Sequence, residues 1–211
     1  MTRPSRNTDR LLLDAAKKMI PRYGFSRLKI RDVAKKAGVN LGMFNYHFKT
    51  KDNFIQILLK EMYAEFFSKL KLESESGVPT KEKMERIGLT LAKFIRDHRD
   101  LLFPLIQEIV MGNKKMMEFA MKNMTAHVGI IFRLIMECQK EKSMMEMPVL
   151  NAVPILMGAV ALPSIVIKIL ESFVENKLIT ASVLKAMEGI ILSDKGLEQR
   201  IRIVWKGLSL K

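Results

Sequence analysis

The sequence predicts an all-α protein with a small helical domain at its N-terminus and a larger helical domain after it. Apolar residues recur three and four positions apart along most of the 211 residues, which is the period of an amphipathic helix. No stretch shows the strict apolar–polar alternation that is typical of a half-buried strand. We therefore expect one helical domain over residues 1–52 and a second over residues 53–211.

The segment 30–51 has the pattern of two short helices joined by a tight turn. Gly38 follows the first apolar stripe and is predicted to end that helix, because glycine adopts the left-handed conformation of a helix cap without steric cost. Asn40 is predicted to cap the second helix with its side-chain oxygen. Phe44 and Phe48 lie four residues apart and are expected to face inward. This is the arrangement of a helix-turn-helix motif, whose second helix enters the major groove of DNA.

The distribution of charge also favours a nucleic-acid partner. The chain carries 36 Lys and Arg against 22 Asp and Glu, a formal net charge of +14. Residues 1–60 hold 14 basic against 4 acidic residues, a net +10, so most of the excess lies in the first quarter. A basic patch of this kind is the usual electrostatic footprint of a DNA-binding domain. Spacing and charge alone also fit an ordinary helical hairpin with a solvated basic face.

The stretch AGVNLGMFNYHFKTKDNF, residues 37–54, resembles the DNA-binding signature of the TetR family of bacterial transcriptional regulators. The resemblance begins near Thr8 and ends near Phe54, and the rest of the chain is similar to that family only in length and helical character. Three residues depart from the usual pattern, namely Lys29, Met43 and Asn45. The departures leave the fold expected from the resemblance intact and bear on the details of DNA contact.

The resemblance implies a sequence-specific, ligand-responsive repressor that binds double-stranded DNA, with a palindromic operator, as a homodimer. It implies DNA contacts from the second helix of the motif and from a lysine at the start of the following helix, where a bound phosphate would meet free backbone N–H groups. The predicted DNA-binding residues are Lys29, Asn40, Leu41, Gly42, Met43, Asn45, Tyr46, His47 and Lys51. A lysine simply extended into water fits the position of Lys51 as well.

By the same resemblance, a small-molecule effector binds among the helices of the second domain. The chain has 16 methionines, and the flexible thioether side chain suits pockets for irregular ligands. Composition alone favours the alternative, in which methionine fills gaps in an ordinary core. The predicted effector pocket comprises Phe94, Phe103, Met111, Phe119, Met124, His127 and Phe132.

Nothing in the sequence indicates an enzyme or a bound cofactor. Its three histidines lie in no metal-ligand motif, and there is no glycine-rich phosphate loop or nucleophile motif. We therefore expect no catalytic residue, no metal site and no cofactor.

Residues 147–167 are uncharged over the length of a membrane span. They contain Pro148, Pro154 and Pro163, and the same composition fits a helix buried in a core and a subunit interface. The resemblance assigns the dimer interface to helices near 148–174 and 195–210, whereas a deep intramolecular core is the alternative. A single cysteine, the lack of a secretory signal and the helix-turn-helix motif lead us to expect a cytoplasmic protein that does not insert into membranes.

Overall fold

The computed structural model describes residues 7–209, apart from the side chain of Met124. Over this range the chain is almost entirely helical and contains no β-strand, so the predicted fold class is confirmed. The helices are α1 (Thr8–Arg27), α2 (Ile30–Ala37), α3 (Leu41–Phe48), α4 (Lys51–Glu75), α5 (Thr80–Val110), α6 (Lys114–Lys140), α7 (Val149–Glu175), α8 (Ala181–Ile191) and α9 (Asp194–Leu208). The sequence also suggests a DNA-contacting arm at Arg3 and Arg6, but both lie outside the described residues.

The chain forms two compact units. The first comprises Met1–Ala64, so far as it is described, and Asp100–Asn123, whereas the second comprises Glu65–Arg99 and Met124–Lys211. Helices α4, α5 and α6 each contribute residues to both units. The sequence suggests that the two domains divide at residue 52. This boundary stays a prediction, because the compact units are defined by packing contacts, whereas the predicted boundary follows the end of the helix-turn-helix motif.

In the first unit, α1 carries a continuous apolar face. Leu12, Ala16 and Ile20 of this helix are fully buried, as is Val33 of α2. Gly24 interrupts α1 with φ 70°, in the left-handed region, and the chain then resumes a helical course to Arg27. A glycine after the apolar stripe of this helix predicts a helix end at Gly24, and the left-handed φ confirms that the regular helix breaks there.

Three phenylalanine rings fix α3 against the start of α4. The ring centroids of Phe44 and Phe54 lie 5.2 Å apart, and those of Phe48 and Phe54 lie 4.7 Å apart, both in edge-to-face geometry. Phe44 and Phe48 are themselves 5.4 Å apart. Edge-to-face pairs of this kind contribute beyond simple burial of area. The prediction that Phe44 and Phe48 face inward is confirmed, since both are buried.

The second unit has its core between α5, α6, α7 and α9. Leu134 and Ile135 of α6 are almost fully buried, and so is Leu197 of α9. A hydrogen bond joins the end of α9 to the loop after α6. The backbone N–H of Met145 donates to the carbonyl oxygen of Leu208 at 2.7 Å.

One predicted helix boundary is wrong. The polar residues 97–100 look like the end of a helix, with a separate helix after them, but α5 runs without a break from Thr80 to Val110. Leu101, Leu102 and Leu105 are buried and continue the apolar stripe past this point. Pro104 lies inside α5, whereas the sequence predicts it in the first turn of a separate helix.

Among residues 7–209, α7 is the one helix long and apolar enough to cross a membrane. Only 17% of its most apolar stretch is buried within the chain. Length and composition alone are weak evidence for a span, because the core helix of a soluble protein meets the same criteria. The exposed apolar surface nevertheless requires an explanation.

Removing the central ring of the aromatic cluster should destabilise the first unit. We expect Phe54→Ala to lower the free energy of unfolding by about 3–5 kcal/mol, because a fully buried aromatic side chain leaves a cavity. Leu11→Ala is the control, since Leu11 is 47% exposed on α1 and should change stability by less than about 1 kcal/mol. Urea unfolding followed by circular dichroism measures both, and equal losses would contradict the role of the cluster.

Candidate DNA-binding surface

The turn between α2 and α3 is built from two local signals in the sequence. Gly38 adopts φ 67° and ψ 29°, and its N–H bonds back to the carbonyl oxygens of Ala34 and Lys35. The side-chain oxygen of Asn40 accepts the backbone N–H of Gly42 at 2.8 Å and caps α3. Both predictions are confirmed. A Cβ at position 42 would lie 3.3 Å from that oxygen, so glycine leaves room for the cap.

The turn and the aromatic cluster together determine which side of α3 faces solvent. Gly42, Asn45 and Tyr46 are exposed, and Tyr46 exposes 69% of its surface. Leu41 and Met43 are half-buried. The outer face of α3 thus presents an amide and a phenol, both of which can hydrogen-bond to base edges.

The ring of His47 packs against its neighbours more closely than its predicted role as a DNA contact suggests. Its ring lies 5.1 Å from the ring of Tyr46 and 6.0 Å from the ring of Phe48. The Nε2 atom is buried and has no hydrogen-bond partner among the described residues. This packing suits a residue that supports Tyr46. A direct DNA contact by His47 stays a prediction.

Exposed basic residues surround the motif. The side chains of Lys29, Arg31, Lys35, Lys36 and Lys49 are exposed, and none forms an ion pair within the described part of the chain. Lys29 precedes α2 and makes no side-chain cap. Cations without an intramolecular partner are available to neutralise phosphates.

Lys51 lies in the first turn of α4, and one hydrogen bond fixes its side chain. Its Nζ donates a hydrogen bond to the carbonyl oxygen of Ser26 at 2.7 Å. Burial lowers the pKa of Lys51, although the nearby carboxylates of Asp52 and Glu108 oppose that shift. An ammonium group has three donors, so the bond to Ser26 leaves others for a phosphate. Thr50 precedes the apolar stripe of α4, a position that predicts an N-cap, and its side chain caps the helix by accepting the N–H of Asn53 at 3.1 Å.

Ser26 joins Lys51 to residues that sequence reasoning does not connect with the motif. Its backbone N–H donates to Glu108 at 2.8 Å, and its hydroxyl donates to the other oxygen of the same carboxylate. Asn113 also donates to Glu108, at 2.8 Å. Burial favours the neutral form of Glu108, but these hydrogen bonds and the charge of Lys51 outweigh it, so the pKa of Glu108 lies below its ordinary value. We call Ser26, Lys51, Glu108 and Asn113 the Ser26 cluster. No local sequence pattern predicts this cluster, because Ser26 and Glu108 are 82 residues apart.

The residues of the predicted effector pocket are divided between the two units. Phe94 stacks on Phe66 with centroids 4.3 Å apart, and His127 lies 5.8 Å from Phe66 in edge-to-face geometry. Burial lowers the pKa of His127 to about 4, so this imidazole is neutral near pH 7. Phe132 is half-buried in the same unit.

The other predicted pocket residues have different surroundings. Phe103, Met111 and Phe119 belong to the first unit, where Met111 is 88% exposed and Phe119 is buried. The side chain of Met124 lies outside the described residues. The predicted pocket as a set stays a prediction.

Two cavities of the second unit are candidates for small molecules. One, of about 230 Å³, is lined by a mixture of rings and charged side chains that includes Phe66, Phe94, Lys93 and Asp97. The other, of about 40 Å³, is lined by apolar side chains of α5, α6, α7 and α9, and Trp205 forms part of its wall. Sequence reasoning missed the second cavity, although the lone tryptophan in the apolar stripe of the last helix was a signal. Over the described residues, no group of three His, Cys, Asp or Glu side chains could hold a metal ion.

Comparisons with known proteins agree with a DNA-binding role for this surface. Residues 12–56 match the sequence profile of the bacterial regulatory proteins of the tetR family. A Bacillus subtilis (strain 168) protein named "Probable HTH-type transcriptional regulator YttP" is 23% identical over 139 residues, which cover 65% of this chain and 67% of that protein.

Solved structures share the fold of the whole chain. A Clostridium perfringens protein described as a fatty acid metabolism regulator has a TM-score of 0.73 at 16% identity, covering 95% of this chain and all of that one. The FadR regulator of Bacillus subtilis, solved with stearoyl-CoA, has a TM-score of 0.64 at 16% identity, covering 94% of this chain and 98% of that one. These relatives are named as regulators and not as enzymes. The profile match and the shared fold agree, and residues 12–56 belong to the DNA-binding domain of the tetR family of bacterial regulatory proteins.

Proposed function

We propose that this protein is a cytoplasmic, ligand-responsive repressor that binds a palindromic operator as a homodimer and releases it when a small molecule binds the second unit. The observation that carries the proposal is the outer face of α3, where Asn45 and Tyr46 are exposed within a ring of basic side chains that have no ion-pair partner among the described residues. A regulator of transcription requires such a surface, since phosphate contacts position a protein on DNA and base contacts specify the sequence.

The proposed DNA contacts divide by chemistry. Asn45 and Tyr46 carry hydrogen-bonding groups at the exposed face of α3 and are the candidates for base readout. Lys29, Lys49 and Lys51 are candidates for phosphate contacts, because a lysine acts toward phosphate as a point charge. Lys51 is the best oriented of them, since its bond to Ser26 limits the positions that its ammonium group can adopt.

The proposed dimer rests on the exposed surface of α7. Ile155, Leu162, Val166, Ile169 and Phe173 are between 37% and 56% exposed. Their spacings of seven, four, three and four residues place all five on one narrow face of the helix. An apolar stripe of this length is a liability in a soluble monomer and typical of a subunit interface. Ile203 of α9, which is 62% exposed, is a candidate for the second helix of the interface.

A symmetric dimer supports the proposed operator geometry. Two recognition helices related by a two-fold axis read two half-sites about one helical turn of DNA apart, or a multiple of it. Release then requires that the effector bind the non-binding conformation more tightly, because a ligand shifts an equilibrium only by its differential affinity. The relative solved with stearoyl-CoA supports a small-molecule effector as a class, without naming the one used here.

Lys51→Ala should weaken binding to operator and to random DNA alike. Loss of one phosphate contact should reduce the slope of log affinity against log salt by about 1. Lys60→Ala is the control, because Lys60 is an exposed lysine of α4 without an ion pair among the described residues and should leave the slope unchanged. Fluorescence anisotropy at several salt concentrations measures both variants. If Lys51→Ala lowers the melting temperature but keeps the full salt slope, Lys51 only supports the fold.

Tyr46→Ala should lower operator affinity by about tenfold to a hundredfold, the range expected for one lost base contact. Affinity for random DNA should stay within about twofold, because the lost contact carries sequence information and not charge. Tyr23→Ala is the control, since Tyr23 of α1 is 45% exposed and lies outside the motif. An equal loss on both DNAs would show that Tyr46 does not read bases.

Ile169→Glu should convert the dimer to a monomer at micromolar concentration. A carboxylate within the apolar stripe would be buried in both copies of a symmetric interface. Ile106→Glu is a closely matched control, because Ile106 is 46% exposed and Ile169 is 45% exposed. Sedimentation velocity gives the mass of each. A dimer that survives Ile169→Glu, or one that Ile106→Glu also breaks, would contradict the proposed interface.

A further inference from the structure

The apolar cavity of the second unit has an unusual chemical lining. Thirteen residues form its wall, and each is apolar or glycine. Met84 and Leu91 contribute from α5, Ile131 from α6, Met157 and Val160 from α7, and Trp205 from α9. No charged group, hydroxyl or amide side chain belongs to this wall. A molecule inside it would therefore be surrounded almost entirely by hydrocarbon and sulfur.

Trp205 is the one residue of the wall whose side chain carries a polar atom. The residue is only 4% exposed, and its Nε1 atom is shielded from solvent and has no hydrogen-bond partner among the described residues. A buried N–H without an acceptor loses its hydrogen bond to water and gains none in return, so native structures rarely retain one without a reason. An acceptor on a bound molecule would remove that cost.

The shape of the cavity limits what can enter. Its volume of about 40 Å³ is too small for most organic molecules. Methionine lies on two of its walls, at Met84 and Met157, and an unbranched thioether side chain changes rotamer at little cost. Gly88 adds no side chain, and a Cβ there would meet Ile201 at 3.6 Å. A slender ligand therefore requires the two methionines to move and enlarge the cavity, whereas a bulky one requires displacement of the helices.

The larger, mixed cavity is a weaker candidate. Its charged groups are already engaged with one another or with neighbours, since Lys69 pairs with Glu65 and Lys93 pairs with Asp194. Because its lining is polar and charged, water would compete with a ligand for these groups.

We propose that the apolar cavity is the effector site. The ligand is a slender, uncharged molecule that consists mostly of hydrocarbon. It carries one acceptor, which accepts a hydrogen bond from the indole N–H of Trp205. The inference rests on the proposed function, because it names the class of effector to which the repressor responds. A carboxylate or quaternary ammonium group is excluded from the cavity, since the wall offers no counter-charge and burial of an unpaired ion is costly. A long-chain ketone, ester or alcohol has the required chemistry.

The chain itself provides the reporter for this site. Trp205 is its only tryptophan, so intrinsic fluorescence excited at the indole band observes the cavity directly. The probes are 2-undecanone, which has an acceptor, and 1-undecene, which has none. Undecanoate and decyltrimethylammonium test negative and positive charge. We expect saturable changes with 2-undecanone, about tenfold weaker binding of 1-undecene, and no saturable change with either ion below its micelle concentration.

Trp205→Phe separates the donor from the shape of the wall. This variant keeps the aromatic ring and loses the N–H, so the tenfold preference for the ketone over the alkene should disappear in calorimetric titrations. Ala159→Leu should block both probes, because Ala159 lines the cavity, whereas Ala161→Leu on the same helix should not, because Ala161 does not. A ketone preference that survives Trp205→Phe, or binding that survives Ala159→Leu, would overturn the assignment.

The failure of this inference and the failure of the proposed function give different results. If 2-undecanone binds at Trp205 but leaves operator affinity unchanged, the ligand site stands and ligand-responsive release is wrong. If the protein binds its operator selectively and none of the four probes binds, the DNA-binding function stands and the proposed effector class is wrong. Tight binding of either ion in the cavity would also reject the proposed class.

Discussion

The structure depends on one packing constraint, the cluster of Phe44, Phe48 and Phe54. Helix α3 has only eight residues, too few to be stable alone in water. Its two inward rings meet Phe54 at 5.2 and 4.7 Å, which fixes both the position of the helix and its rotation about its own axis. Because the inner side is determined, the outer side is determined as well. Exposure of Asn45 and Tyr46 is therefore a consequence of core packing.

The same constraint orders the start of α4. Phe54 belongs to the first turn of that helix, three residues after Lys51. The Ser26 cluster then fixes the lysine from the other side, since Ser26 accepts its hydrogen bond and is in turn held by Glu108. The phosphate-contacting group of the proposed interface is thus placed by an apolar contact and a polar one. Glu108 lies on α5, so residues distant in sequence support the geometry of the DNA-binding surface.

Sequence reasoning succeeded where the physical cause is local. Gly38, Asn40 and Thr50 act within four residues of their own positions, and the structure confirms each of them. It failed where the cause is tertiary. Residues 97–100 resemble a helix end, but the buried leucines that follow keep α5 continuous. The contact between Ser26 and Glu108 joins positions 82 residues apart, which no periodicity encodes.

The predicted effector pocket was the least predictable feature for the same reason. Aromatic and methionine residues do not by themselves reveal which of them are buried or which of them share a cavity. Phe94 and His127 gather around Phe66, whereas Met111 is 88% exposed. The cavity beside Trp205 is formed by four helices, and its lining depends on how they pack. Its chemical character became clear only from the unpartnered indole N–H.

The most direct test of the central claim is to select genomic DNA fragments that the purified protein retains and to map the protected bases on them. If α3 is presented outward as described, the selected fragments will share an inverted repeat whose half-sites are centred about 10 base pairs apart, or a multiple of that spacing. Retention of fragments without any shared sequence would contradict the claim, because it would mean that the exposed face of α3 reads no bases.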